Sequence, residues 1–437
     1  MATIIQSSNV FTDTQISHSR NGPITLHPHG YNIGPLPTLY DHHGKFIAVA
    51  NSWFFDLKTV KRLKCLNSSA RAILCYWSFL EESQLTWDNI PPIDRLKPTY
   101  QFRHYLLLKV QDGNMAYSTA NCYMNHVVQF YLWAIYETYL VVQEEKKAPF
   151  RIEYTTINRQ DKLAHLKPKL IVQTSDLRIR VPKHTQSSQV RTLMPLSRES
   201  LQSVSNHLRY QSVEFQLQCR LAIQTGLRVN EVCSLTLTAI DQAFPITDSR
   251  QRYYLPIGPS NGVKTKFDKE RKIEISSSLL KMLQDYSISE RRLKRQIKMD
   301  NKLSVTDHLT IPLTHSTQHP PLFISEQGNP LTAKVLGVRW CEFRKVLQKS
   351  EPGFNHKFHD LRSTYGTYRL GDLLTSGLNS SEALDCLMGW MGHNHESTTW
   401  KYIRYLKRKE ALRDKFSMLD TLMHDALTAD SEARNEQ

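Results

Sequence analysis

The sequence predicts a mainly helical α+β protein with at least two domains. Its 437 residues suffice for two or three domains, each with its own core. Val213, Leu217 and Leu221 recur at a four-residue interval, which is typical of a helix. Residues 252–257 and 271–275 have strand character and flank a turn-forming segment. We therefore expect a small antiparallel sheet in the second half of the chain.

Residues 63–150 predict a small helical domain. Serines of the helix-capping type precede an apolar face in 68–82, and helical patterns follow near 99–110 and 118–140. We expect the large aromatic residues of this stretch in its core rather than stacked on bases. They are Trp77, Phe79, Phe102, Tyr105, Phe130 and Trp133.

Residues 1–62 are predicted to be an N-terminal extension. Gly and Pro punctuate it, and residues 38–40 and 46–49 flank a turn like the strands of a short hairpin. Its histidines lack the Cys or carboxylate neighbours that would complete a metal site. We therefore expect no metal there.

The excess of basic residues predicts a polyanionic partner. Lys and Arg number 56 against 41 Asp and Glu, and residues 151–210 alone hold 11 against 4. Prolines interrupt residues 151–192, which we predict to be a basic linker. Neutralising phosphates releases condensed counterions, so double-stranded DNA is the expected partner. A solvated basic face is the simpler alternative; the candidate contacts are Arg178, Arg180 and Lys183.

Membrane and secreted classes do not fit the sequence. No apolar run approaches the length of a membrane span, and the N-terminus lacks the charged and apolar regions of a signal peptide. The seven cysteines are scattered without paired spacing, which indicates reduced thiols. We expect a cytoplasmic, nucleoid-associated protein without a membrane partner.

A helix, a glycine turn and a second helix are predicted across residues 221–235. Gly226 is the residue type that ends a helix in a left-handed conformation. Arg228 opens the next helix and Glu231 follows three residues later, so their side chains share a face. A guanidinium held by a carboxylate beside free helix N–H groups suits a phosphate. On spacing alone, a surface ion pair is the simpler interpretation.

Three further motifs stand in the C-terminal third. They are His359-Asp360-Leu361-Arg362, then Gly392-His393, then Tyr402 nine residues after His393. Together with Thr225-Gly226-Leu227-Arg228 and Glu231, this ordered set resembles the tyrosine recombinase (phage integrase) family. The resemblance spans roughly residues 190–415, and it depends on the order of the motifs and on the last interval.

The resemblance implies a domain arrangement. A helical SAM-like core-binding domain would occupy 63–150, and a mixed α/β catalytic domain with a small antiparallel sheet would occupy 193–415. Residues 284–320 depart from the family pattern, and we expect an insertion that contacts DNA or a partner subunit. The tail, 416–437, continues an apolar stripe that begins at Leu412. That stripe is expected to dock on a neighbouring protomer or on its own domain.

The resemblance also implies the site residues. The catalytic set would be Arg228, Lys266, His359, Arg362, His393 and the nucleophile Tyr402, with Glu231 in support. The phenol of Tyr402 would attack DNA to leave a 3′-phosphotyrosine and a 5′-hydroxyl. Since a phenol also leaves readily, the step would reverse without ATP.

Each remaining group has an implied role. Arg228 and Arg362 would bind the non-bridging oxygens bidentately. His359 would hold the phosphate or take the phenol proton, His393 would donate to a non-bridging oxygen, and Lys266 would protonate the leaving 5′-oxygen. We expect no cofactor and no metal, because the arginines and histidines supply the electrostatic stabilisation.

Three of these assignments have rivals in the sequence. They are Lys264 and Lys269 for Lys266, Tyr405 for Tyr402, and His395 for His393. The interval of five residues to Arg271 favours Lys266. The pairing of Gly392 with His393 and the interval to Tyr402 favour the other two assignments.

The function implied is site-specific DNA recombination that integrates or excises a mobile element. The implied assembly is a homo-tetramer on paired DNA sites, with accessory proteins of the element as further partners. A type IB topoisomerase, which would relax supercoils as a monomer, is one alternative; the helical domain ahead of the catalytic one favours a recombinase. A catalytically silent DNA-binding protein of the same fold is another, disfavoured because every expected position is filled.

Overall fold

Helices dominate the computed structural model, which describes residues 1–17, 25–157, 170–180, 193–247, 249–307, 318–393 and 398–406. The chain divides into two compact units, Met1–Arg191 and Thr192–Gln437. Helices and small antiparallel sheets occur in both, which confirms the predicted fold class. Within the described part of the chain, every helix is too short or too polar to span a lipid bilayer.

The described residues of the first unit contain four α-helices. They are α1 (Ala48–Thr59), α2 (Asn67–Glu82), α3 (Pro98–Gln111) and α4 (Tyr117–Tyr136). The last three match the helices that the apolar periodicity predicts. Their aromatic residues form the core as expected, and Tyr105 alone of the predicted six is only partly buried. Edge-to-face pairs such as Tyr76 with Phe102, at 4.9 Å between ring centroids, organise this core.

Residues 1–62 do not form a separate extension but contribute to the same core. Strands β1 (Thr3–Ser17) and β2 (Thr25–Tyr40) pair antiparallel, and α1 follows directly. The side-chain amide of Asn51 accepts from the N–H of Leu39 at 2.7 Å and donates to its carbonyl at 2.9 Å. The predicted hairpin of 38–40 with 46–49 is reduced to one bridge, between Tyr40 and Phe46, because α1 begins at Ala48.

The predicted linker also differs from its prediction. Strands β3 (Ile152–Ile157) and β4 (Leu170–Ser175) pair antiparallel. The segment that follows β4, residues 176–180, packs on α3 and α4. Leu177 and Ile179 are buried there, whereas Arg178 and Arg180 point outward. The two apolar residues of this segment, which follows the end of β4, are buried in the core, a role that the neighbouring basic residues and prolines obscured. Lys183 lies outside the described residues.

The second unit combines ten helical segments with one three-stranded sheet in its described residues. The helices are α5 (Arg198–Leu208), α6 (Val213–Thr225), α7 (Val229–Cys233), α8 (Leu237–Asp241), α9 (Ser277–Ser287), α10 (Glu290–Asp307), α11 (Ala333–Ser350), α12 (Phe358–Thr375), α13 (Ser380–Met391) and α14 (398–406). The strands are β5 (Phe244–Ile246), β6 (Ser249–Ile257) and β7 (Arg271–Ser276), paired in that order.

The predicted insertion contains the C-terminal end of α9 and all of α10. Arg291 and Arg295 pair with the buried carboxylate of Glu214 at 2.6 and 2.9 Å. Arg292 donates to two backbone carbonyls, those of Pro321 and Leu322, at 2.9 and 3.1 Å. Several of the basic residues that suggested a DNA contact therefore hold this helix in place. Residues 308–317 lie outside the described part.

Candidate active site

A glycine turn between α6 and α7 positions Arg228, the first arginine of the site. Gly226 ends α6 in the left-handed conformation, at φ 68°. A β-carbon on Gly226 would collide with the ring of Tyr365, so a larger residue would have to displace that ring. Arg228 follows in an extended conformation as the N-cap of α7. The sequence therefore predicted this turn correctly.

Glu231 is the buried anchor of the site. Its carboxylate accepts from the backbone N–H of Arg228 at 2.8 Å and from Nη1 of the same residue at 3.0 Å. Arg271, the first residue of β7, donates to both carboxylate oxygens at 3.0 and 2.7 Å. Burial alone would raise the pKa of Glu231, but the hydrogen bonds and charges of the two arginines outweigh it and lower that pKa.

The C-terminal end of α13 is held by three arginines. Gly392 closes the helix in the left-handed conformation, so its last carbonyls point away from the helix without intrahelical partners. Each arginine takes one of three consecutive carbonyls: Arg271 Nε that of Trp390 at 3.2 Å, Arg362 Nη2 that of Met391, and Arg228 Nη2 that of Gly392 at 3.1 Å. The negative end of the helix dipole favours this arrangement.

Arg362 is the most buried of the three guanidiniums. It extends from the second turn of α12, donates to the carbonyl of Gly226 as well, and is 3% exposed. Burial, together with repulsion from Arg228, lowers the pKa of Arg362 to about 10. Among the described residues no carboxylate forms an ion pair with it, so its charge is available to an anion.

His393 is neutral in this environment. Burial, with repulsion from Arg362 and the other arginines, lowers the pKa of its imidazole to about 3. Its Nε2 lies 3.3 Å from Nη2 of Arg362, which can only donate, so Nε2 accepts. Nδ1 then carries the proton and faces the hydroxyl of Thr399 at 2.9 Å.

Tyr402 lies within its own domain beside these groups. Its phenol is 5% exposed, and its ring stacks at 16° on the imidazole of His393, 6.3 Å between centroids. A β-carbon on Gly366 would come within 2.7 Å of this ring, so a glycine of α12 makes room for it. Burial raises the pKa of Tyr402, while Arg362 and a hydrogen bond with Ser363 act in the opposite direction.

The other predicted residues lie farther out. His359, in the first turn of α12, is exposed, yet its charge acts on His393. Lys266 is also exposed and lies over the ring of Phe267 at 4.9 Å, in the segment that joins β6 to β7. Among its rivals Lys264 is exposed and Lys269 half-buried, so burial does not choose between them.

Of the two other rivals, one lies in the described part of the chain. Tyr405 lies on the same helix as Tyr402, half-buried, where it interacts with Tyr368. His395 lies outside the described residues. The structure thus brings together Arg228, Glu231, Arg362, His393 and Tyr402.

Sequence reasoning missed Arg271. In the sequence, Arg271 is only a basic residue at the start of a predicted strand, and such residues are common on exposed strand edges. Its partner, Glu231, stands 40 residues earlier in the chain, and no local periodicity links the two. Only the pairing of β6 with β7 brings this guanidinium to the site.

Replacing Glu231 with Gln should destabilise the second unit strongly. The change leaves the partly exposed guanidinium of Arg228 and the buried one of Arg271 without their carboxylate. Breaking a buried ion pair costs about 3–5 kcal/mol. Urea unfolding of the full chain, followed for the second unit, measures the loss. Glu290→Gln, which removes an exposed pair with Lys294, is the control and should leave the transition in place. Equal effects of both changes would contradict the anchoring role.

The imidazole of His393 should stay neutral from pH 7 down to about pH 4, because its pKa is lowered from 6.5 to about 3. Below pH 6.5 the unfolded chain binds a proton that the folded protein does not, so stability falls with pH by up to about 1.4 kcal/mol per unit from this group. NMR of ¹⁵N-labelled imidazoles, assigned with His393→Gln, checks the titration. A midpoint near 6.5 would refute the neutral state.

Comparison with known proteins gives a family for the second unit. Residues 196–409 match the model of the phage integrase family. No curated protein matches the sequence. The similar solved structures share little sequence identity. One is the Tn1549 transposon integrase in complex with a circular intermediate DNA, with 14% identity over 81% of this chain and 94% of that one and a TM-score of 0.47.

Two further solved structures are similar at the same level. XerH site-specific recombinase bound to palindromic difH substrate shares 15% identity over 79% of this chain and 78% of that one, with a TM-score of 0.46. A lambda integrase dimer bound to a COC′ core site shares 12% over 80% and 94%, with a TM-score of 0.43. The match to the family model confirms the resemblance that the ordered motifs indicate. Residues 196–409, which lie in the second unit, belong to the phage integrase family, the tyrosine recombinases.

Proposed function

We propose that the chain is a site-specific recombinase that cleaves and rejoins double-stranded DNA through a 3′-phosphotyrosine at Tyr402. The observation that carries the proposal is the position of this phenol. It is buried against the imidazole of His393 and within the field of Arg362, in a cluster with an excess of positive charge. A phosphodiester is the anion that such a site suits.

The proposed reaction conserves the number of phosphoester bonds. The phenol oxygen of Tyr402 attacks the scissile phosphorus, a bond from phosphorus to that oxygen forms, and the bond to the 5′-oxygen breaks. Arg228 and Arg362 turn their guanidiniums from backbone carbonyls towards the non-bridging oxygens, whose charge grows in the transition state. The phenol proton leaves to a base, for which His359 is our candidate. A lysine, Lys266 by our assignment, protonates the 5′-oxygen.

His393, which follows α13, requires a change of protonation in this scheme. In the free site Nε2 of His393 accepts from Arg362, so it has no proton to give to a phosphate. An incoming phosphodiester would offset the repulsion from the arginines and raise the pKa of His393. The imidazole would then gain a proton at Nε2 and donate to a non-bridging oxygen, as the family resemblance implies.

The remaining parts of the proposal concern partners. Double-stranded DNA is the substrate, and the exposed Arg178 and Arg180 of the first unit are candidate phosphate contacts. We propose a homo-tetramer on paired sites, a role in integration or excision of a mobile element, and a cytoplasmic, nucleoid-associated location. The net charge of +15 supports the DNA partner. The family match does not favour the topoisomerase or the silent DNA-binding alternative.

Tyr402→Phe should abolish covalent attachment to DNA while leaving binding close to that of the wild type, because only the attacking hydroxyl is lost. Nicked duplexes from the ends of the DNA element that carries the gene serve as trapping substrates. Covalent adducts are counted by denaturing electrophoresis. Tyr405→Phe is the matched control and should form adducts normally. Adducts that persist in Tyr402→Phe and vanish in Tyr405→Phe would transfer the nucleophile to Tyr405.

Replacing Arg178 and Arg180 with Ala should weaken binding to all DNA sequences alike. Each lost phosphate contact should reduce the slope of log K against log salt by roughly one unit. Fluorescence anisotropy at several salt concentrations measures both quantities. Lys147→Ala is the control, because Lys147 already pairs with Glu144 at 3.1 Å. A loss confined to one target sequence would instead indicate that these arginines contact bases.

A further inference from the structure

Arg271 connects three parts of the second unit. It begins β7, opposite Ile257 of β6, and it is 8% exposed. Two of its nitrogens bind the two oxygens of Glu231, and its Nε donates to the carbonyl of Trp390. A β-carbon on Gly392 would lie 3.0 Å from its side chain, so the helix end is closed directly over it.

We propose that Arg271 is a positioning residue that serves as the counter-ion of Glu231, so that Arg228 keeps its charge for the scissile phosphate. The inference rests on the proposed function, since it assigns a role within the same site. Arg271 does not touch the DNA in this scheme. It acts through Glu231 and through the end of α13.

The division of hydrogen bonds supports this role. Arg271 forms a bidentate pair with Glu231, whereas Arg228 gives that carboxylate one guanidinium bond and one backbone bond. The bidentate pair is the stronger of the two arrangements. Arg228 is also the more accessible guanidinium, with 22% of its side chain exposed against 8% for Arg271. A phosphate can therefore reach Arg228 while Arg271 stays bound to the carboxylate.

The geometry requires an arginine at this position. Three donors of one planar group face two carboxylate oxygens and a carbonyl on different elements. A lysine at 271 would keep the charge but present a single nitrogen, so it could not hold Glu231 and the end of α13 together. Without Arg271, the carboxylate would draw the guanidinium of Arg228 away from the phosphate.

The experiment compares adduct formation on nicked duplex by six full-length proteins. They are the wild type, Arg271→Met, Arg271→Lys, Glu231→Gln, the double variant Arg271→Met/Glu231→Gln and a control. Arg271→Met should slow adduct formation by about 10²-fold, since a displaced reacting group costs that much, with DNA affinity nearly unchanged. Arg271→Lys should fall between it and the wild type. Arg252→Met, which removes a different arginine of the same sheet from its pair with Glu274, is the matched control and should keep the wild-type rate.

The double variant separates positioning from simple structural damage. If Arg271 acts by neutralising Glu231, removing the carboxylate as well should restore much of the rate lost in Arg271→Met. A double variant slower than either single variant would overturn the proposal, as would an Arg271→Met protein with the wild-type rate. Should Arg271→Met fail to fold, Arg271→Lys decides: a wild-type rate for that variant would also overturn it.

A titration of His393 keeps this test independent of the proposed function. The charge of Arg271 helps to lower the pKa of this imidazole, so Arg271→Met should raise the NMR midpoint while Arg271→Lys should raise it less. If the wild type forms no adducts, the proposed function fails and the titration still reports on the site. An unchanged midpoint in folded Arg271→Met would show that Arg271 does not act on the site at all.

Discussion

The C-terminal end of α13 is the point on which the candidate site depends. A helix ends with carbonyls that lack intrahelical partners and with a negative partial charge. Here three consecutive carbonyls meet three guanidiniums, which come from the start of β7, from α12 and from the N-cap of α7. Elements far apart in sequence are thereby joined at one helix end. His393, the next residue but one after α13, is placed among the arginines as a result.

Two glycines let these elements approach closely enough. Gly226 supports the left-handed end of α6 and leaves space for the ring of Tyr365, and Gly366, the neighbour of that tyrosine on α12, leaves space for Tyr402. One stretch of α12 is therefore in contact with both the arginine turn and the nucleophile candidate. Interiors are close-packed, so an added methyl group at Gly226 would displace the ring of Tyr365, and one at Gly366 would displace the ring of Tyr402.

The parts of the site that the sequence predicted are those with a short-range or ordered signal. Arg228 and Glu231 share a helix face through their spacing, and Tyr402 was found by its interval from His393. Arg271 has no such signal, because its contacts arise from strand pairing and from a helix end 119 residues away. The conformation of the loop that carries Lys266 could not be predicted either. Its residue Phe267 has a left-handed backbone conformation, which no sequence periodicity indicates. The helices were predicted more accurately, because the spacing of their apolar residues indicates which face is buried.

Positive charges repel one another in the free site, and this repulsion suits the proposed binding of a phosphodiester. Arg362 is buried with its pKa lowered, and His393 is kept neutral by the same cluster of positive charge. Glu231 offsets part of that charge, and Arg271 binds both of its carboxylate oxygens. The remaining charge has no anion in the described residues. A phosphodiester that entered would relieve this repulsion, and most strongly when its oxygens gain charge in the transition state. The arrangement that lowers the stability of the free protein is thus the one that would stabilise the reacting phosphate.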